Sequence, residues 1–171
     1  QCNYSKGIKL VRGAYYNSEL QLFNHNKDDV IYSKGFPICE SKEKTDHNYN
    51  STIINLLENN ISNNNIYLLL ATHNTYSIDI CTNKMRELGI SNNDNKIQFA
   101  QILGMSDHLT LKLAQNGFHS HKLVLYGHYD EIMPWLLRRV DESSSTNGAM
   151  QTDKHIYISE IIRRIKSFIN I

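Results

Sequence analysis

Four short apolar runs punctuate this chain, and each gives way to a longer stretch with helical spacing. Residues 9–15 (KLVRGAY), 66–74 (IYLLLATHN), 97–104 (IQFAQILG) and 121–127 (HKLVLYG) are β-rich or continuously apolar, the pattern of strands buried within a sheet. Helices are expected over 45–60, where apolar spacing follows a Thr45–Asp46 start, over 75–88 closing on Gly89, over 106–116 closing on Gly117, and over 130–142. A final helix, 153–168, gathers Ile156, Ile158, Ile161, Ile162 and Ile165 on one side. Asparagine-rich runs such as ENNISNNNIY and SNNDNK fall between apolar segments and read as surface loops. Strand followed by helix four times in succession predicts an α/β fold with a parallel sheet.

In such sheets the polar residues that do chemistry lie at the C-terminal ends of the strands. Here those ends offer Arg12-Gly13-Ala14-Tyr15, Thr72-His73-Asn74, Gln101-Ile102 and Tyr126-Gly127. Arg138 and Arg139 follow one helix-length beyond the last strand. Neighbouring helical residues point about 100° apart, so the pair cannot share the centre of one face, yet both can flank an anion. Taken singly, each residue has a plainer reading. His73 is a hydrogen-bonded structural histidine, Gly13 and Gly127 turn the chain, Tyr15 and Trp135 belong to a core, and the arginine pair is a solvated helix edge. Their joint placement at one rim favours a site.

Composition narrows the classes. The chain has 171 residues, 40% hydrophobic and 20% charged, an ordinary globular balance with length for one core. Net charge is +1 with lysine and arginine spread along the chain, so a nucleic-acid partner is not expected. Three well-separated cysteines, Cys2, Cys39 and Cys81, argue against a disulfide framework and fit a reducing compartment. The pair His119 and His121 lacks an acidic or cysteine partner nearby, so no metal site is expected. No apolar run reaches membrane-spanning length. The start QCNYSKGIKL has neither a signal-peptide core nor transit-peptide character nor an initiator methionine, which reads as a piece of a longer chain.

KLVRGAYYNSE, PICESKEKTDHNYN, LLLATHN, FAQILGMSD and LVLYGHYDEIMPWLLRRVDES, in that order, resemble the proline dehydrogenase family over nearly the whole chain. The resemblance implies a distorted (β/α)8 barrel that holds FAD at its C-terminal rim and oxidises L-proline to Δ1-pyrroline-5-carboxylate by hydride transfer to flavin N5. Residues 1–171 would then be one partial domain, strands five to eight plus a C-terminal helix, with the N-terminal half of the barrel missing. It also accounts for the absence of a GxGxxG fingerprint, since the family binds flavin on a barrel rim.

Carried over by motif, Lys9 matches a basic position near the flavin N5, and Val11, Arg12, Gly13 and Ala14 line the cofactor. Ser41 and Lys42 match contacts to its phosphate-bearing part. Thr72, His73 and Asn74 match positions near the same dinucleotide, as do Ala100 and Gln101 of the FAQ motif and Glu142 beyond the arginine pair. Arg138 and Arg139 match a clamp on the proline carboxylate, where bidentate pairing fixes orientation. Tyr15 and Ile102 match residues on the substrate side. Quinone as electron acceptor and a mitochondrial location, peripheral on the matrix side of the inner membrane, are implied by resemblance to eukaryotic members.

The chain departs from the family's usual Y-V-P-Y-G-P, reading Leu123-Val124-Leu125-Tyr126-Gly127-His128. Leu123 replaces a tyrosine that packs over the proline ring, which would admit a substituted ring such as hydroxyproline. Loss of both prolines frees φ angles in the loop before the last helix. Trp135 stands for a tyrosine and Ser143 for an asparagine. Three readings follow: part of a proline dehydrogenase, part of a hydroxyproline dehydrogenase, or a truncated non-catalytic chain.

Overall fold

The four strands pair in the order in which the chain makes them. In a computed structural model that describes residues 5–13, 16–25, 38–63, 66–145 and 148–168, β1 (Lys6–Val11), β2 (Ile66–Ala71), β3 (Ile97–Ile102) and β4 (His119–Leu123) form one parallel sheet in the order β1-β2-β3-β4. The described helices number six: α1 (Tyr16–His25), α2 (Lys42–Asn63), α3 (Thr75–Glu87), α4 (Asp107–Gln115), α5 (Tyr129–Ser145) and α6 (Gly148–Phe168). Crossovers between parallel strands are right-handed, so strands added always on the same side place every connecting helix on the same face.

That rule gives the sheet two unlike faces. On the covered face, Leu68, Leu70, Ile97 and Phe99 are buried against Ile53 and Leu57 of α2, Ile78, Cys81 and Met85 of α3, and Leu109 and Leu113 of α4. Ile8 and Leu10 of β1 pack at the margin of this core. Phe99 meets Phe118 edge to face, with centroids 5.6 Å apart, a favoured aromatic geometry. The alternate residues line the other face, where Lys9, Val11 and Tyr67 are exposed and Leu69, Ala71, Ala100 and Ile102 are half-buried. The register sets Val11, Ala71, Ala100 and His121 in one row across it.

The element boundaries differ from the sequence reading in instructive ways. β1 runs Lys6–Val11 and ends before Gly13, whose φ of 66° breaks the strand; the expected end at 15 falls outside the described residues. β2 and β3 stop at Ala71 and Ile102, so Thr72-His73-Asn74 and Leu103-Gly104 are loop. β4 begins two residues earlier than expected and ends at Leu123. α1 was not expected. α2 starts at Lys42 because the Ser41 hydroxyl accepts the Lys44 N–H at 3.2 Å, an N-cap contact. Thr45, the expected start, lies inside the helix and donates its hydroxyl back to the Ser41 carbonyl at 2.9 Å. The asparagine run is in part helical, since α2 continues to Asn63, and Asn59 Nδ2 donates to the Asn55 carbonyl at 2.8 Å. The five isoleucines of α6 are exposed, and at about 100° per residue Ile158, Ile161, Ile162 and Ile165 share a side that the expected member Ile156 does not. No helix among the described residues is long and apolar enough to cross a membrane.

Candidate active site

At the end of β1 a single carboxylate organises two cations. Arg12 Nη1 lies 3.0 Å from Asp46 Oδ1, and Lys42 Nζ lies 2.9 Å from Asp46 Oδ2. Asp46 and Lys42 both come from the start of α2, where negative charge complements the helix dipole. One turn further on, the buried Tyr49 donates its hydroxyl to the Leu10 carbonyl at 3.4 Å. Burial pushes the Tyr49 hydroxyl pKa well above the ordinary phenol range, although contacts with Thr72 and Arg12 act in the opposite sense. It therefore stays a neutral donor at physiological pH. Lys9 is exposed on the open face of β1, two residues and one side-chain row below Val11.

The ends of β2 and β3 are tied together by the residues that the sequence reading singled out. Thr72 is buried, and its hydroxyl accepts the Asn74 N–H at 3.1 Å. His73 Nε2 accepts the Ile102 N–H at 3.0 Å, which places the proton of the neutral ring on Nδ1. Asn74 caps α3, its Oδ1 accepting the Ser77 N–H at 2.9 Å. Ser77 in turn donates to Asn50 of α2 at 2.8 Å. Gln101, 2% exposed, lies on the covered side of β3, where Nε2 donates to the Thr72 carbonyl at 3.3 Å and Oε1 accepts the Thr110 hydroxyl at 2.8 Å. Its side chain thus braces the rim from behind. Ala100 and Ile102 are the β3 residues that face the open side.

Leu123 ends β4 in register with Ile102, and its carbonyl accepts the Leu103 N–H at 3.0 Å. The neighbouring Lys122 turns to the covered side and pairs with Asp107 at 2.6 Å and the Met105 carbonyl at 2.7 Å. On α5 the arginines part company, as the 100° rule requires. Arg138 is exposed, whereas Arg139 is half-buried with its guanidinium carbon 5.1 Å from the centroid of the Trp135 ring one turn earlier, a cation–π stack. Glu142 lies on α5 at a position whose side chain is outside the described residues, and Ala14 and Tyr15 are outside them altogether.

The structure therefore joins Arg12 with Lys42 at one corner, and Thr72, His73, Asn74, Gln101 and Ile102 along the middle of the rim. Asp46, Tyr49, Asn50 and Thr110 hold these groups and were not identified from sequence. The Lys42–Asp46 spacing of four on one helix is the signal that could have found Asp46, but the expected start at Thr45 left Lys42 outside the helix. Cys81 is fully buried, and burial pushes its thiol up to about 12, so it is an inert core residue. Among the described residues no group of three His, Cys, Asp or Glu side chains could hold a metal ion. His119 Nε2 lies 3.0 Å from the Asn93 carbonyl.

Comparison with known proteins gives this rim its context. The family model described as proline dehydrogenase matches residues 1–152. Proline dehydrogenase 2, mitochondrial, of Arabidopsis thaliana is 36% identical over 97% of this chain and 34% of its own length. Hydroxyproline dehydrogenase of Xenopus laevis is 33% identical over 93% of this chain and 33% of its own. The chain thus spans about a third of the length of these curated relatives. In fold it is similar to proline utilization A from Bdellovibrio bacteriovorus, solved after inactivation by N-propargylglycine, with a TM-score of 0.69 at 24% identity over 84% of this chain and 14% of that one. On the extent of the family match and the identity to these relatives, the chain belongs to the proline dehydrogenase family.

Proposed function

We propose that this chain supplies strands five to eight of a distorted (β/α)8 barrel whose C-terminal rim binds FAD and oxidises L-proline to Δ1-pyrroline-5-carboxylate. One observation carries the reading: a sequentially ordered parallel sheet with helices on one face and, on the other, a row of side chains that leads up to a polar rim. A barrel is what such one-sided winding closes into.

Two features of this chain fit the flavin dinucleotide. Ala71 and Ala100, between Val11 and His121 in the same row, are small enough to leave a low apolar strip suited to a planar ring. Arg12 and Lys42, gathered by Asp46, suit a diphosphate, with Ser41 at the start of the same helix. When bound, the flavin would supply the hydride acceptor, its N5. Lys9, a cation exposed on the open face of β1, would stabilise negative charge on the reduced ring. His73 and Asn74 keep the loop after β2 fixed against β3, and Gln101 fixes Thr72. Ile102 and Leu123 exclude water from the substrate side.

Arg138 and Arg139 hold the substrate carboxylate. Stacking on Trp135 orders the Arg139 guanidinium before substrate arrives, which lowers the entropic cost of the bidentate contact. By motif, Tyr15 is assigned to the substrate side, and Gly13, Ala14 and Glu142 to the cofactor. The enzyme acts in mitochondria, peripheral to the matrix side of the inner membrane, with a quinone as acceptor.

A second reading, oxidation of hydroxyproline, is favoured by Leu123, which is 39% exposed on the open side where the family usually has a tyrosine. The full-length protein assayed on both substrates with an artificial acceptor separates the two. Leu123→Tyr is expected to lower kcat/KM for hydroxyproline relative to proline by about tenfold, the discrimination a filled pocket supplies. An unchanged ratio would remove Leu123 from specificity.

A further inference from the structure

Asp46 belongs to none of the positions that the family resemblance marks for cofactor or substrate, yet both cations it holds do. Its two carboxylate oxygens take different partners, Oδ1 the Arg12 guanidinium at 3.0 Å and Oδ2 the Lys42 ammonium at 2.9 Å. Arg12 belongs to the turn after β1 and Lys42 to the first turn of α2. Asp46 is what sets these two groups side by side. The Arg12 and Asp46 side chains are mostly sheltered, whereas Lys42 is 63% exposed, so the Arg12 pair is the firmer of the two. Contact at one nitrogen anchors that end of the guanidinium and leaves the group further N–H donors for a ligand.

We infer that Asp46 is a positioning residue for the diphosphate of the flavin dinucleotide, holding Arg12 and Lys42 at the β1–α2 corner so that both meet one anion. The inference rests on the cofactor reading above. Two effects oppose each other when its charge is removed. Asp46→Asn adds one unit of positive charge to the corner and so attracts an anion more strongly. The same change leaves two long side chains to be ordered only when the ligand binds. At a solvent-facing corner the Coulomb gain is screened, so the loss of order prevails.

The test uses the full-length protein stripped of flavin and titrated separately with FAD and with riboflavin, which lacks the diphosphate. Asp46→Asn is expected to weaken FAD about tenfold, the scale of one charge-assisted hydrogen bond, and to leave riboflavin within about twofold. Asp46→Glu, which keeps the charge and moves it by one methylene, is expected to give an intermediate, FAD-selective loss, and it decides the matter if Asp46→Asn fails to fold. FAD affinity that stays unchanged or improves would overturn the inference, as would an equal loss for both flavins in either variant, which marks a general structural role. A wild-type protein that takes up neither flavin would overturn the cofactor reading and the inference with it.

Discussion

Replacing Arg139 by methionine in the full-length protein is expected to raise the KM for L-proline at least about tenfold, with a smaller effect on kcat. The size follows from the kind of interaction that the substitution removes. An exposed ion pair contributes about 0.2–1 kcal/mol, whereas a charge-assisted hydrogen bond at a sheltered site contributes about 1.5–3 kcal/mol. Arg139 is half-buried against Trp135, which places it in the second class. Methionine keeps much of the apolar stem that packs on the ring, so the change isolates the charge. Steady-state kinetics on proline decide the point. An unchanged KM would take Arg139 out of the substrate site and leave it a stacked structural residue.

Phe99→Ala is expected to cost about 3–5 kcal/mol of stability, the usual range for removing a buried aromatic ring. Phe99 is fully buried, lies between the β2 and β4 partners Leu70 and Ser120, and makes the edge contact with Phe118. Leu111→Ala, on the 62% exposed side of α4, should stay within about 0.5 kcal/mol. Urea unfolding of the full-length variants measures both, read as a shift in midpoint at constant slope. A loss below about 1 kcal/mol for Phe99→Ala would contradict the packing of α2, α3 and α4 on this face.

The central strands were legible because a strand in the middle of a helix-covered parallel sheet is apolar almost without interruption, as IYLLLA and IQFAQI are. β1 was harder. At the edge of this sheet it opens on Lys6 and Gly7, so the expected run began three residues late, at Lys9. α1 has only scattered apolar positions in YNSELQLFNH, and nothing local separated it from a loop. The start of α2 was misplaced because two hydroxyl residues compete for the cap. Ser41 takes the free N–H, while Thr45 satisfies itself against a carbonyl one turn back, a choice made by backbone geometry.

For the site, the chain-order rule that strand ends carry the chemistry was enough to pick out Arg12, Thr72, His73, Asn74 and Ile102. It could not say which atoms each would commit. Asn74 spends its carbonyl oxygen on a helix cap, and Gln101, one residue from the open-facing Ala100, turns its amide to the covered side. Strand alternation gives that parity only once the covered face is known. Asp46 and Tyr49 were missed for another reason. Their partners Arg12 and Leu10 are more than thirty positions away, and a contact across that distance leaves no period in the sequence.

The measurement that bears most directly on the central claim is the visible spectrum of the full-length protein after gel filtration, recorded before and after anaerobic addition of L-proline. The expected result is flavin absorbance that co-elutes with the protein and bleaches when proline is added. Absence of flavin from freshly purified and FAD-reconstituted protein alike, or flavin that neither proline nor hydroxyproline bleaches, would contradict the assignment of this rim as a proline-oxidising flavin site.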